Sequence, residues 1–410
     1  MGIVVVGAGA AGVQSAVALR ERGYAGRVTL VGGEPHRPYD RPPLSKAVLR
    51  GRGRREDVVF DVDFAGLGIE VRSGVTALGL RAGERQLVTS AGELSYERLV
   101  IATGADAVRL PGDEGAYVLR TLDDAERLRG VLEARRDVVV IGAGWIGAEF
   151  ATAAREAGCR VTVVEAGEGP LAGALPGAVT APMAGWYARA GVELRTGVRV
   201  TGIDGGGVSL ADGSLVRADA VVVGVGARPA TGWLAGSGIA LGARGEVLAD
   251  AFLRASVPGV YAVGDCVSFP SGRYGERLSV HHWDNALQGA KVVAAHVVTG
   301  GEAAPYDPVP YFWSEQFGRF VQYAGQHGAG DAVVRRGVPD GVDGWSVCWL
   351  RGDRVTAVLT VDRPRDLAQG RRLITAATPV DPVLVADAGV ALKAAVRAEV
   401  TVPAAVGGGS

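Results

Sequence analysis

The chain has 410 residues, of which 48% are hydrophobic and 21% charged, with a formal net charge of −1. That length supports two or three domains with cores of their own, and a charge so near zero predicts neither a nucleic-acid nor a membrane partner. The three cysteines, Cys159, Cys266 and Cys348, are too scattered for a disulfide framework, a zinc site or an iron–sulfur cluster, so no metal is expected and any iron–sulfur chemistry belongs to a partner.

The chain opens directly on a strand-like run, with no basic or cleavable segment before it and no apolar stretch of bilayer-spanning length, so a cytoplasmic location is the expectation. Val5-Val6 leads into Gly7-Ala8-Gly9-Ala10-Ala11-Gly12 and then a helix-like run through Leu19. Gly7 permits the tight turn, Gly9 lets backbone approach a pyrophosphate, and Gly12 lets helix and strand pack closely. The phosphate would sit on the unpaired N–H groups of the helix N-terminus. Glu34, just past the next strand, stands where an acid accepts hydrogen bonds from an adenosine ribose.

An insertion follows. Gly7 to Gly74 spans 67 residues where the later counterpart, Gly142 to Gly197, spans 55. The insertion contains Pro38-Tyr39-Asp40-Arg41-Pro42-Pro43-Leu44-Ser45-Lys46, whose prolines stiffen a loop ahead of a helix start at Ser45 and present Arg41 and Lys46 near the first nucleotide. Arg50, Arg52, Arg54 and Arg55 form a short basic run, either a solvated loop or a docking patch. Short strands then close the first unit at Ala102-Thr103-Gly104. A crossing segment, Leu119-Arg120-Thr121-Leu122-Asp123, leads into a helix for which Asp123 is the expected N-cap.

A lone glycine motif is weak evidence in a chain with 63 glycines. Here it recurs as Val139-Val140-Ile141-Gly142-Ala143-Gly144-Trp145-Ile146-Gly147. Gly7 to Gly23 and Gly142 to Gly158 are both 16 residues, and Ala102-Thr103-Gly104 is echoed at Gly224-Val225-Gly226. Two dinucleotide-binding units in one chain suit electron transfer between two nucleotides. Glu165 holds the ribose-acid position of the second unit, with no Lys or Arg beside it to receive a 2′-phosphate; only Arg189 or Arg195 could reach in, so NADH is expected over NADPH. Glu149 reads either as a first-turn carboxylate that suits the helix dipole or as a group facing the nicotinamide.

Past Pro229 the chain crosses back to Val260-Tyr261-Ala262-Val263-Gly264-Asp265, another strand, glycine and acid. Cys266 reads as a packing thiol, adjacent His281 and His282 do not read as a metal site, and a helix is expected over 286–298. From Pro305 aromatics concentrate and strands follow, with residues 381–399 reading as helix and the tail 403–410 as flexible.

These motifs in combination resemble the FAD-dependent ferredoxin reductases of bacterial oxygenase systems, the putidaredoxin reductase and aromatic-ring dioxygenase reductase type. Carrying the resemblance are G-A-G-A-A-G, R-P-P-L-S-K, A-T-G, L-R-T-L-D-D-A, G-A-G-W-I-G-A-E, V-G-A-R-P, Y-A-V-G-D-C, H-W-D-N-A and Y-F-W-S-E-Q. It implies an α/β fold with two Rossmann-like dinucleotide-binding domains, glutathione-reductase-like, plus a C-terminal α+β domain. The expected FAD domain is discontinuous, 1–107 and 229–305; the NADH domain is 108–228, and 306–402 completes the flavin site.

For FAD the resemblance implies Gly7, Gly9, Ala10, Ala11, Gly12, Glu34, Arg41, Lys46, Val75, Ala102, Thr103, Gly104, Arg120, Asp265, Trp283 and Trp313. For NADH it implies Gly142, Gly144, Trp145, Ile146, Gly147, Glu149, Glu165 and Gly226. Lys46, Glu149 and Trp313 would be catalytic, with Lys46 near flavin N5 and paired to Glu149. Many relatives have Glu where this chain has His281 or His282, a departure bearing on flavin potential or partner choice. The implied reaction is hydride transfer from NADH to flavin N5, then single electrons to an acidic iron–sulfur ferredoxin serving an oxygenase, by a monomer or homodimer. Arg50, Arg52, Arg54 and Arg55, or Arg363, Arg365, Arg371 and Arg372, would attract that ferredoxin.

Three other readings stand beside this one. A rubredoxin or a small molecule could be the acceptor. The chain could be a non-catalytic NADH-responsive flavoprotein. A disulfide-reducing flavoenzyme would need a cysteine in the segment 35–49, which has none.

Overall fold

The computed structural model describes residues 2–300, 304–339 and 343–397. The run Ile3–Val6 is buried on both faces, as an unbroken apolar strand in a parallel sheet must be. It is the middle of five strands, ordered Val260–Ala262, Arg98–Ile101, Ile3–Val6, Val28–Gly32, Ile69–Ser73. Ile3 pairs in parallel with Val28 on one side and Arg98 on the other. The chain therefore winds outward in both directions from Ile3–Val6, and the crevice at its carboxyl end is the topological switch point.

The second sheet repeats the plan with four strands, Glu193–Arg195, Val161–Val164, Val138–Ile141, Ala220–Val223. Val138–Ile141 is its switch strand, paired in parallel with both neighbours. Each switch strand feeds a helix, α1 (Ala10–Glu21) in the first case. The crossing segment leads into α2 (Leu122–Glu133), and the second switch strand into α3 (Trp145–Glu156). A long helix, α4 (Trp283–Thr299), packs on α1 and begins three residues before the expected start at Ala286.

Two local expectations need correction. Thr121, not Asp123, caps α2: its hydroxyl accepts the Asp124 N–H at 3.2 Å, while the Asp124 carboxylate accepts the Thr121 N–H at 2.9 Å. This reciprocal box uses Asp124 as the third helical residue. Asp123, one position too early, instead pairs with His36 at 2.8 Å. The second correction concerns residues 381–399, where the structure has only a short helix, Pro382–Ala386, and a turn, Leu392–Ala394. Residues 398 and 399 lie outside the described residues, as does the 403–410 tail.

Residues up to Pro310, with Ser314–Gly318, form one compact unit; Tyr311–Trp313 and the chain from Arg319 form a second. In the second unit, Arg319–Gly325, Arg354–Val361, Trp345–Arg351 and Ala332–Arg336 form an antiparallel sheet in that order, and α5 (Pro364–Ala376) packs on it. Arg336 explains why 381–399 is not one helix. Its guanidinium is fully buried, 3.2 Å from Asp366, and donates to the carbonyls of Val385, Asp387 and Val390. Those carbonyls point inward to the arginine instead of along a helix axis. Among the described residues no helix is long and apolar enough to cross a membrane.

Candidate active site

The first glycine loop is built by exclusion of side chains. Gly7 has φ +111°, and a Cβ there would meet the Ala102 carbonyl oxygen at 2.2 Å; one on Gly12 would lie 1.7 Å from the Gly7 oxygen. Ala102, whose N–H donates to the Val6 carbonyl at 2.8 Å, brings Thr103 and Gly104 alongside this loop. Gly9 is the N-cap of α1, with no side-chain cap and no acid in the first turn, so Ala10 and Ala11 begin a helix end suited to an anion. Arg41 lies above it, its Nε 3.9 Å from where a Gly9 Cβ would be. A Cβ on Gly264 would lie 2.9 Å from the Ala11 side chain, so the chain carrying Asp265 passes close to the same helix end. Arg120 reaches Asp265 at 3.4 Å.

Glu34 is held from two sides. Arg41 pairs with it at 2.7 Å, and the Tyr39 hydroxyl donates to it at 2.5 Å. Burial pushes the Tyr39 phenol above its ordinary range, which keeps it a donor. The same hydroxyl accepts the Leu122 N–H at 2.9 Å, and Arg41 also donates to the Arg120 carbonyl at 2.7 Å. The insertion thus fastens the crossing segment to the acid at the end of the second strand. Trp283 donates its indole N–H to Asp40 at 2.9 Å. The Val75 N–H donates to the Gly32 carbonyl at 2.8 Å.

The second loop repeats the glycine cradle of the first. Gly142 has φ +100°, a Cβ there would lie 2.5 Å from the Gly224 oxygen, and one on Gly147 would lie 2.1 Å from the Gly142 oxygen. Gly144 caps α3 without a side-chain partner, followed by Trp145 and by Ile146, which is 41% exposed. The Glu165 carboxylate accepts the N–H groups of Ala143 and Gly167, both at 2.7 Å. Arg195 is occupied by Glu193 at 2.7 Å, and Gly226 has φ +118° in an exposed turn.

Between the loops lies the Lys46–Glu149 pair. The expected helix at Ser45 is a π-helical turn, Leu44–Val48, closed by Val48 N–H to the Pro43 carbonyl. Such wide turns recur at functional sites. This one presents both Ser45 and Lys46 to Glu149, with Lys46 Nζ 2.9 Å and Ser45 Oγ 2.5 Å from Oε2. On the other side Ser314 Oγ donates to Oε1 at 2.7 Å, and the Glu315 N–H at 3.2 Å. Glu149 is 4% exposed and lies beyond the first turn of α3, so the reading of it as a helix-dipole carboxylate is overturned.

The structure brings Ala102, Arg41 and Asp265 to the first loop and Glu165 to the second, and Glu149 of α3 meets Lys46 of the insertion. Trp313 belongs to the second unit, where its ring stacks with Tyr311 at 6.0 Å between centroids. Tyr39, Asp40, Ser45 and Ser314 are participants the sequence reading did not single out. Tyr39, Asp40 and Ser45 lie in the quoted insertion, and Ser314 in Y-F-W-S-E-Q. Three arginines of the basic run are charge-paired: Arg50 with Glu156 and Glu315, Arg54 with Asp57, Arg55 with Asp123 and Glu126. Arg363 pairs with Asp366 at 3.1 Å, and Arg371 lies over the Tyr311 ring at 4.8 Å.

Both loops fit a dinucleotide pyrophosphate. Each is a cradle that a Cβ would fill, and each ends at a helix N-terminus with no capping side chain.

Residues 1–290 match the family described as pyridine nucleotide-disulphide oxidoreductase, and 311–396 match a reductase C-terminal domain. Rhodocoxin reductase of Rhodococcus erythropolis is 36% identical over 97% of this chain and 94% of its own length. The ferredoxin--NAD(+) reductase component of the p-cumate 2,3-dioxygenase system of Pseudomonas putida is 37% identical over 95% of this chain and 97% of its own. The chain belongs to the ferredoxin reductase branch of this family. Among solved structures, the covalent putidaredoxin reductase–putidaredoxin complex superposes with a TM-score of 0.91 at 33% identity, covering 96% of this chain and 97% of that one. The family's cofactors, FAD and NAD(H), are those the two loops fit.

Proposed function

We propose that this protein is an NADH-dependent, FAD-containing ferredoxin reductase that supplies single electrons to an iron–sulfur ferredoxin serving an oxygenase. The observation that carries this reading is the Lys46–Glu149 pair, which ties the helix of one dinucleotide loop to the insertion of the other. Our domain assignment is 1–107 with 229–305 for FAD, 108–228 for NADH and 306–402 as the C-terminal domain; a cytoplasmic location goes with it.

Gly7, Gly9, Ala10, Ala11 and Gly12 would hold the FAD pyrophosphate, and Glu34 the adenosine ribose. Arg41, Val75, Ala102, Thr103, Gly104, Arg120, Asp265 and Trp283 would hold the remainder. Gly142, Gly144, Trp145, Ile146, Gly147, Glu165 and Gly226 would hold NADH. Bound there, FAD would supply the chemistry of hydride acceptance and single-electron release. The protein's part is alignment and charge. Lys46 supplies a cation where negative charge develops on reduction, and Glu149 fixes that cation's place. Glu165, with no cation beside it in the sequence, favours NADH over the extra phosphate of NADPH.

We read the acceptor as an acidic ferredoxin, although most of the Arg50–Arg55 run already has acidic neighbours. Neutralising that run and the 363–372 arginines together should flatten the salt dependence of ferredoxin reduction. The primary test is anaerobic stopped-flow reduction with NADH and with NADPH, followed by ferredoxin addition. Rapid bleaching by NADH, slower bleaching by NADPH and reoxidation by ferredoxin are expected. A flavoprotein that neither nucleotide bleaches would end the reductase reading.

A further inference from the structure

We propose that Ser45 and Ser314 are positioning residues whose hydroxyls hold the Glu149 carboxylate, so that Lys46 keeps one fixed place at the reduction site. This rests on the reading just given. Ser45, Ser314 and Glu149 are 4%, 1% and 4% exposed, so water does not compete for these bonds. Both carboxylate oxygens are filled: Oε2 by Ser45 and Lys46, Oε1 by Ser314 and the Glu315 N–H. The Ser314 oxygen also accepts from Gln316 Nε2 at 3.1 Å, which directs its single proton to Glu149. The two serines come from different segments, so neither bond follows from the other.

Remove the hydroxyls and Oε2 faces Lys46 alone. A buried carboxylate then draws its remaining cation inward and is itself less screened. Both changes make the region more negative towards the group being reduced, and the flavin becomes harder to reduce. A space-filling role for the two serines predicts neither effect.

The experiment compares the purified holoprotein with Ser45→Ala, Ser314→Ala, the double variant and Ser314→Thr, which keeps the hydroxyl on the strand Tyr311–Gln316. The flavin midpoint potential is measured by anaerobic dye-coupled titration, and the limiting rate of reduction at saturating NADH by stopped flow. The potential should fall in each Ala variant and furthest in the double. The limiting rate should drop about tenfold with half-saturation by NADH preserved, as for loss of a hydrogen bond to a buried charge. Ser314→Thr should restore both. An unchanged potential in both single variants, or Ser314→Thr as impaired as Ser314→Ala, would overturn the proposal. Should the double variant fail to hold FAD, the single variants decide. Failure of the functional reading looks different: wild-type protein bleached by NADH yet unable to reduce ferredoxin would remove the acceptor and leave the comparison of potentials intact.

Discussion

Lys46 and Glu149 are 2.9 Å apart although 103 positions separate them, one in a π-helical turn of the insertion and the other in α3 behind the second glycine loop. Each repeat unit contributes one charge, and neither charge has a counterpart in the other unit. The sequence repeat makes two similar modules; this pair is a contact that joins them.

Replacing Lys46 by Met should leave Glu149 among neutral donors in a buried setting. The limiting rate of flavin reduction by NADH should fall about 10- to 100-fold, matching about 1.5–3 kcal/mol for a bond to a charged group, with FAD content retained. Glu149→Gln is expected to be worse for stability. An amide replaces one acceptor with a donor, so two of the four donors meet an N–H₂ group. Breaking such a buried pair costs about 3–5 kcal/mol, visible as a lowered urea midpoint. Wild-type reduction rates in Lys46→Met would refute the role given to this pair.

Glu165 closes the second loop by accepting the Ala143 and Gly167 N–H groups. Glu165→Ala should raise the KM for NADH about tenfold, leave kcat within about twofold, and narrow the preference over NADPH. Steady-state kinetics with both nucleotides checks this. A fall in kcat with an unchanged KM would instead place Glu165 in the chemical step.

Much of this arrangement was readable along the chain because backbone geometry demands particular residues at fixed places. Gly7 and Gly12, like Gly142 and Gly147, stand where a Cβ would strike a carbonyl oxygen, so the two loops announce themselves in any sequence. Partners joined only by tertiary packing do not. Nothing local to Ser314 marks it as a donor to a carboxylate 165 positions away. Nothing local to Tyr39 shows that its hydroxyl meets both Glu34 and the start of α2. The same blindness misplaced the C-terminal helix, because the 381–399 segment is shaped by Arg336 from a distant strand.

Arg336 is therefore expected to govern stability in the second unit. Its removal leaves Asp366 with Ser346 at 2.7 Å and Arg363 at 3.1 Å, but strips three inward-facing carbonyls of their donor. Arg336→Ala should cost about 3–5 kcal/mol, and Arg336→Lys should recover only part, since an ammonium cannot span Asp366 and those carbonyls with a planar fork. Urea denaturation of the holoprotein measures it; a loss below about 1 kcal/mol would show that the segment holds itself in place.

The cysteines provide a test of whether a protein disulfide takes part in turnover. All three are buried and unpaired with one another. Burial pushes the Cys266 thiol up to about 11 and Cys348 up to about 12, and it raises Cys159 as well. Cys266 also donates to the Val263 carbonyl at 3.3 Å. A thiol raised above its unfolded value of about 8.5 contributes stability that is present below that pH and is lost as pH rises through the folded value. At about pH 8 the native protein should therefore react with a thiol reagent at none of its cysteines, and at all three after denaturation. Adding NADH should expose no new thiol, because reducing equivalents leave through the flavin and no protein disulfide is opened. A reactive thiol that appears on NADH addition, quenched by alkylation together with turnover, would move the protein to the disulfide-reducing branch.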